Sequence, residues 1–266
     1  MLERGKRLDY NSIMKDKAII FDIDGTAVDS PEKKIPTPEL VAAMDALKDR
    51  YYLCAATGRV WSYGKAVLKA MHLTDPCVIS AGTQICNPQT GEILWQKIIP
   101  ETALTKVIEV LKNYPEYKVL FNDGTEDDYF YGGVYPKDFH TTDPVYFFEV
   151  VFVPDKIAEE IREKLLTIEG ITCVMVIAQK PGTRDLHVIN RDATKEHAIG
   201  ELLKLLQVEK ENTIGVGDGH NDIHLFNAVG KKVAMGNATQ ILKDAADIIV
   251  GTVKEDGMTK FLQTLV

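Results

Sequence analysis

KAIIFDIDGT, residues 17–26, decides how the chain is read. Its first seven residues form an apolar run rich in β-formers that stops at Asp24-Gly25-Thr26. A run of that kind, bounded by a turn, is the pattern of a strand buried on both faces of a parallel sheet. Asp22 and Asp24 stand two residues apart where the strand gives way to the loop. In a regular strand that spacing would put both on one face, but Gly25 permits a tight turn that can separate them.

Working outward, residues 38–49 show helical spacing with Pro38 at the start, and YYLCAAT (51–57) reads as a strand broken by Gly58-Arg59. Residues 60–73 form a further helix and PCVIS (76–80) a third strand, an alternation that signals a doubly wound α/β sheet. The pattern then changes. Residues 85–98 suggest a hairpin around NPQTG, and 101–114 and 155–168 are amphipathic helices. KVLFND (118–123), DYFYGG (128–133), VYFFEVVFV (145–153), TCVMVIAQ (172–179) and DLHVIN (185–190) are strand-like. Beyond residue 190 the first pattern returns: a helix over 194–208, the strand NTIGVGDG (212–219) running into a Gly-rich loop, and a short helix closed by Gly230. The expected fold is α/β, a doubly wound (Rossmann-like) parallel-sheet core formed by residues 15–83 and 186–266. An α+β cap, residues 84–185, is inserted into it, and residues 1–14 form an N-terminal leader.

The chain has 266 residues, 45% apolar and 26% charged, with 31 basic against 39 acidic side chains and a formal charge of -8. That balance argues against a nucleic-acid partner, whose phosphates would call for clustered Lys and Arg. A small phosphorylated metabolite is not excluded, because a local site can be positive inside an acidic protein. No apolar run approaches the roughly 20 residues that span a bilayer, so no membrane partner is expected. Cys54, Cys77, Cys86 and Cys173 form no CxxC pair and read as buried reduced thiols, which fits a cytoplasmic setting.

Four short motifs carry groups suited to phosphoryl transfer. In FDIDGT (21–26) one carboxylate can attack phosphorus, while the other protonates the leaving oxygen and later deprotonates water. In GDGHND (217–222), Asp218 and Asp222 would repel each other beside a phosphate unless a cation joined them, and Mg²⁺ is the hard, oxygen-seeking choice. ATGR (56–59) offers a hydroxyl and loop amides to a phosphate oxygen. Lys195, at a helix start where its charge opposes the macrodipole, can neutralise the transferring group. Each motif alone has an ordinary reading: an Asx-turn, an N-cap, a strand end, a solvated lysine. The set, with every member following a predicted strand of the split domain, is what phosphoryl transfer requires.

On these motifs the chain resembles the haloacid dehalogenase-like hydrolases, specifically the Cof-type branch with a large α/β cap after the third core strand. AMGNA (234–238) and EDGM (255–258) match that family's C-terminal segments. The resemblance implies Asp22 as nucleophile and Asp24 as acid/base, in a Mg²⁺-dependent phosphatase forming an aspartyl-phosphate. It implies Mg²⁺ on Asp22, Asp218 and the backbone carbonyl of Asp24. It implies phosphate held by Thr57, Lys195, Asn221 and the amides near Ile23 and Gly58. Asp222 would stand behind these, orienting Lys195 or a metal-bound water. Two departures stand out: Ser80-Ala81-Gly82-Thr83 where the family has Asn-Gly, and Lys195-Glu196 where it often has Lys-Gly.

The substrate class expected is a sugar phosphate or similar small monoester. A phosphomutase on a sugar phosphate would share the same intermediate, and a phospho-accepting signalling domain would share the acids but need neither Asp24 nor a cap. His220 and His224 have the i, i+4 spacing of a zinc pair but no third soft ligand nearby. Nine of the 21 aromatics lie between Tyr129 and Phe152, read as the cap sheet's core, with Tyr131 or Tyr135 at a pocket or homodimer contact as the sharper reading. GTEDDYFYGG (124–133), with Glu126, Asp127 and Asp128, is the expected edge of the specificity pocket.

Overall fold

Strand and helix alternate at both ends of the chain and give way to hairpins in the middle. A computed structural model describes residues 14–29, 35–122, 130–131, 144–178 and 180–266. The first segment runs β1 (Ala18–Phe21), α1 (Pro38–Asp45), β2 (Tyr52–Ala55), α2 (Trp61–Ala70), β3 (Cys77–Ile79), β4 (Gln84–Cys86) and β5 (Ile93–Gln96). The second runs α3 (Glu101–Leu111), β6 (Lys118–Phe121), β7 (Phe130–Tyr131), β8 (Phe147–Pro154), α4 (Asp155–Leu166), β9 (Ile171–Ile177) and β10 (Thr183–Asn190). The last runs α5 (Lys195–Leu206), β11 (Thr213–Gly217), α6 (Ile223–Ala228), β12 (Lys231–Ala234), α7 (Gln240–Asp244), β13 (Ile248–Ile249) and α8 (Gly257–Gln263).

A five-stranded parallel sheet, ordered β13-β12-β11-β1-β2, joins the two ends of the chain. β1 lies between β11 and β2 and all four of its residues are buried. Ile19 and Phe21 face a cluster with Leu40 and Met44 of α1, Val67 and Leu68 of α2, and Phe261 and Leu262 of α8. Ala18 and Ile20 face the opposite cluster, with Ile199 and Leu202 of α5 and Phe226 of α6. Helices on both faces explain why this strand is continuously apolar rather than alternating.

β3 departs from its expected place. It pairs antiparallel with β4 in a three-stranded sheet, β3-β4-β5, and meets β2 through an Ala56–Val78 bridge and the Ala55 amide on Cys77 Sγ. A third sheet, antiparallel and ordered β7-β6-β8-β10-β9, occupies the middle of the chain. Leu186, Val188, Phe148 and Val150 turn to the cluster under α3 and α4, leaving Asp185, His187 and Glu149 on the other face. The seam expected at 185/186 falls inside β10, which is paired with β8 and β9 and ends only at Asn190. The seam expected at 83/84 separates β3 from its partner β4. Strand pairing crosses both positions.

Of the aromatic cluster, Tyr146, Phe147 and Phe148 are buried and Phe152 is exposed. Tyr146 and Phe147 pack with Val60, Ala81 and Ile189 where the antiparallel sheet meets the parallel one. Most of 124–133, with its acids, and Tyr135 lie outside the described residues, as does the leader up to residue 13. All four cysteines are buried and free, and burial pushes Cys86 and Cys173 up to about 12.

One buried ion pair ties the segment before β1 to the far side of β2. Asp75 accepts from the Leu53 amide at 2.9 Å and from Lys15 Nζ at 3.2 Å, and Lys15 Nζ also reaches the Tyr51 carbonyl at 3.1 Å. Asp75→Ala strands the Leu53 amide and leaves the Lys15 ammonium without its counter-charge, so a loss of about 3 kcal/mol is expected in denaturant unfolding. Asp75→Asn, which keeps an acceptor for Leu53, is expected to lose less.

Candidate active site

Parallel pairing brings the motifs together. Phe21 is level with Ala55 on one side and Val216 on the other, so β1, β2 and β11 end at the same edge. The residues that follow them, Asp22, Thr57 and Asp218, therefore emerge side by side, as ligand-binding loops do at the carboxyl ends of such sheets. Beyond Asp22 the chain turns sharply. The amides of Thr26, Ala27 and Val28 all point at the Ile23 carbonyl, and Gly25 takes φ +83°. A Cβ on Gly25 would collide with the Asp218 carboxylate, so the turn and its neighbour require glycine. The turn swings Asp24 away from Asp22 and onto Arg59, which grips it with Nε at 2.9 Å and Nη2 at 2.6 Å.

Lys195 lies at the centre. Its Nζ donates to Asp22 Oδ1 at 2.6 Å and to Asp222 Oδ1 at 2.7 Å, and the residue is 3% exposed. Asp222 spends its other oxygen on the amides of Asp218 (3.0 Å) and Gly219 (2.9 Å). It is fully buried with both oxygens engaged, a geometry that positions Lys195. Asp218 accepts from Thr26 Oγ1 at 2.8 Å and from Asn237 Nδ2 at 3.2 Å, and Asn237 also holds the Gly25 carbonyl.

The charges do not balance. Burial pushes the Asp22 carboxyl well up; Lys195 pulls it back, and Asp222, Asp218 and Asp24 push it further. Burial, then Asp222, raises Asp218 to about 7 against the Thr26 hydrogen bond. Burial pulls Lys195 down, but Asp22 and Asp222 outweigh it and hold the ammonium above its ordinary value. Asp22, Asp24, Asp218 and Asp222 are thus four acids facing two bases, Lys195 and Arg59. Oxygens of Asp22, Asp218 and Asp222 lie within 4.8 Å of one another, the kind of donor set that suits a hard divalent cation. The Asp24 carboxylate, turned onto Arg59, is outside that group.

The remaining expected residues sit around this centre. Thr57 is 1% exposed, and its Oγ1 accepts from the Arg59 amide at 3.1 Å. Asn221 lines a cavity with Lys195. Ile23 is buried in the turn, and Gly58 packs against His187. Ser80, Ala81 and Gly82, which replace the family's Asn-Gly, all take positive φ, and the amides of Ser80 and Ala81 hold the Arg59 and Thr57 carbonyls. His224 faces Glu196 at 3.6 Å, and the Asp22–Asp218–Asp222 group is the one metal-type cluster among the described residues. Arg59, Thr26, Asn237 and His187 were missed as site residues. The first three stand inside motifs already read, whereas His187 looks like core in DLHVIN.

The sequence profile of the haloacid dehalogenase-like hydrolases matches residues 19–262. Among curated proteins, the chain is 24% identical to 5-amino-6-(5-phospho-D-ribitylamino)uracil phosphatase YitU of Bacillus subtilis, over 92% of this chain and 96% of that one. It is 24% identical to phosphoglycolate phosphatase of Archaeoglobus fulgidus, over 95% and 98%. Among solved structures, a phosphatase of the same superfamily from Bacteroides thetaiotaomicron superposes with TM-score 0.77 at 18% identity, covering 98% of both chains.

The raised carboxyls make stability depend on pH in metal-free protein. In the unfolded chain both aspartates ionise near 4. Folded, they bind protons more tightly, so this contribution is complete below about pH 4 and is lost as pH rises through about 7 for Asp218. Metal-free protein is therefore expected to melt lower at pH 8 than at pH 6. Scanning calorimetry should show a smaller difference in Asp218→Asn.

Proposed function

The chain belongs to the haloacid dehalogenase-like hydrolases, and on that premise we propose that it is a Mg²⁺-dependent phosphatase acting on a small phosphate monoester through an aspartyl-phosphate. The observation that carries this reading is the pairing of Asp22 with Lys195 beside Asp218, with two acids left uncompensated. Asp22 is the nucleophile. Its carboxylate oxygen bonds to phosphorus as the ester P–O bond breaks, and Asp24, released from Arg59 and protonated, gives that proton to the departing oxygen. Asp24 then takes a proton from water, which attacks the phosphorus and releases phosphate and Asp22. Arg59 fixes Asp24 in one orientation until the substrate arrives.

Lys195, Thr57, Asn221 and the amides near Ile23 and Gly58 hold the phosphoryl oxygens, and Asp222 orients Lys195. Asp22, Asp218 and the Asp24 carbonyl would hold Mg²⁺. Once bound, that ion supplies positive charge to the phosphoryl oxygens. The antiparallel sheet would act as a cap that excludes water and selects the leaving group. A hydroxyl-bearing leaving group is supported by the ribityl phosphate named for the Bacillus relative. The free, buried cysteines support a reducing, cytoplasmic setting.

Steady-state kinetics on a panel of phosphate esters test the reading. Asp22→Asn should abolish turnover, and Asp24→Asn should slow it by roughly 10²–10⁴-fold. EDTA should remove activity and Mg²⁺ restore it. Turnover by Asp22→Asn, or indifference to EDTA, would overturn the mechanism.

A further inference from the structure

His187 touches the phosphate loop from the antiparallel sheet, yet nothing in the reaction just described uses it. It lies on β10, in register with Glu149 of β8 and Val174 of β9, on the face away from α3 and α4. The residue is 5% exposed, and its ring stands 5.2 Å from that of Phe147. A Cβ on Gly58 would come within 3.1 Å of His187 Cε1 and 3.8 Å of Nδ1, so the ring edge rests on the loop that carries Thr57. His187, Lys195, Asn221, Thr194 and Val174 line one cavity beside the carboxylates.

The two ring nitrogens differ. Nε2 is 3.2 Å from Glu149 Oε1, whereas Nδ1 has no hydrogen-bond partner among the described residues. A carboxylate only accepts, so Nε2 carries the hydrogen toward Glu149, and in the neutral form of the ring Nδ1 is then an acceptor. An acceptor has nothing to offer the oxygens of a phosphate dianion. It can take a hydrogen bond from a hydroxyl. An acceptor that a bound ester screens from water and leaves empty is costly, so such a site discriminates between a leaving group with a hydroxyl there and one without.

We propose that His187, held in one tautomer by Glu149, is a specificity-determining residue that accepts a hydrogen bond from a hydroxyl of the leaving group, close to the phosphoester oxygen. This rests on the phosphatase reading above. The test compares 2-hydroxypropyl phosphate with propyl phosphate, which differ by that one hydroxyl. Wild type should favour the hydroxylated ester in kcat/KM by about five- to tenfold, the scale of one neutral hydrogen bond. His187→Phe, which fills the space beside Phe147, should bring the ratio close to one. Glu149→Gln keeps the ring and its packing but no longer dictates its tautomer, so the ratio should fall part of the way. A wild type that turns over both esters equally, or a ratio unchanged in Glu149→Gln, overturns the inference and leaves the phosphatase standing. A wild type that hydrolyses no member of a wider monoester panel overturns the phosphatase reading and this inference with it.

Discussion

An ammonium group buried between two carboxylates organises the molecule. Lys195 is held by Asp22 from the loop after β1 and by Asp222 from the loop after β11. Taking these charges out of water is expensive, and removing one partner would leave the others uncompensated. The lysine also stands at the N-terminus of α5, where the macrodipole opposes it. The two carboxylates answer both costs. In exchange, they and the ammonium are fixed to within hydrogen-bond distances. The same bridge leaves Asp218 short of a counter-charge, so the pull on a cation and the grip on Asp22 arise from one arrangement.

That arrangement depends on strand register. A slip of β2 or β11 against β1 would turn every side chain to the opposite face and move Thr57 or Asp218 away from Asp22. Continuous burial on both faces of β1 opposes such a slip. The antiparallel sheet adds a second layer, anchored through Tyr146, Phe147 and Ile189 on Val60 and Ala81. Those apolar contacts flank His187, so packing that holds the sheet also brings its polar face to the cavity.

Local patterns made the parallel sheet legible: KAIIF and TIGVG are apolar beyond what an exposed strand tolerates, and Gly25 announces a turn. Three of the four motifs converged because each followed a strand of that sheet, whereas Lys195 follows β10 of the antiparallel sheet. Pairing between distant segments was not legible. Nothing in CVI says that β3 would join β4 more fully than β2, and nothing in DLHVIN says that β10 runs on to the core. Arg59 was visible in ATGR, but its grip on Asp24 depends on how the Gly25 turn aims that carboxylate. A histidine among Leu, Val and Ile gives no local sign of its neighbours, so His187 emerged only from the register with Glu149.

The central claim is covalent: phosphorus passes through Asp22. Rapid acid quench of the Mg²⁺-loaded protein turning over a ³²P-labelled monoester, followed by peptide mapping, tests it most directly. The account predicts an alkali-labile phosphoryl group on the peptide containing KAIIFDIDGT, placed on Asp22. Label on another residue, or steady turnover with no labelled protein at any quench time, would contradict it.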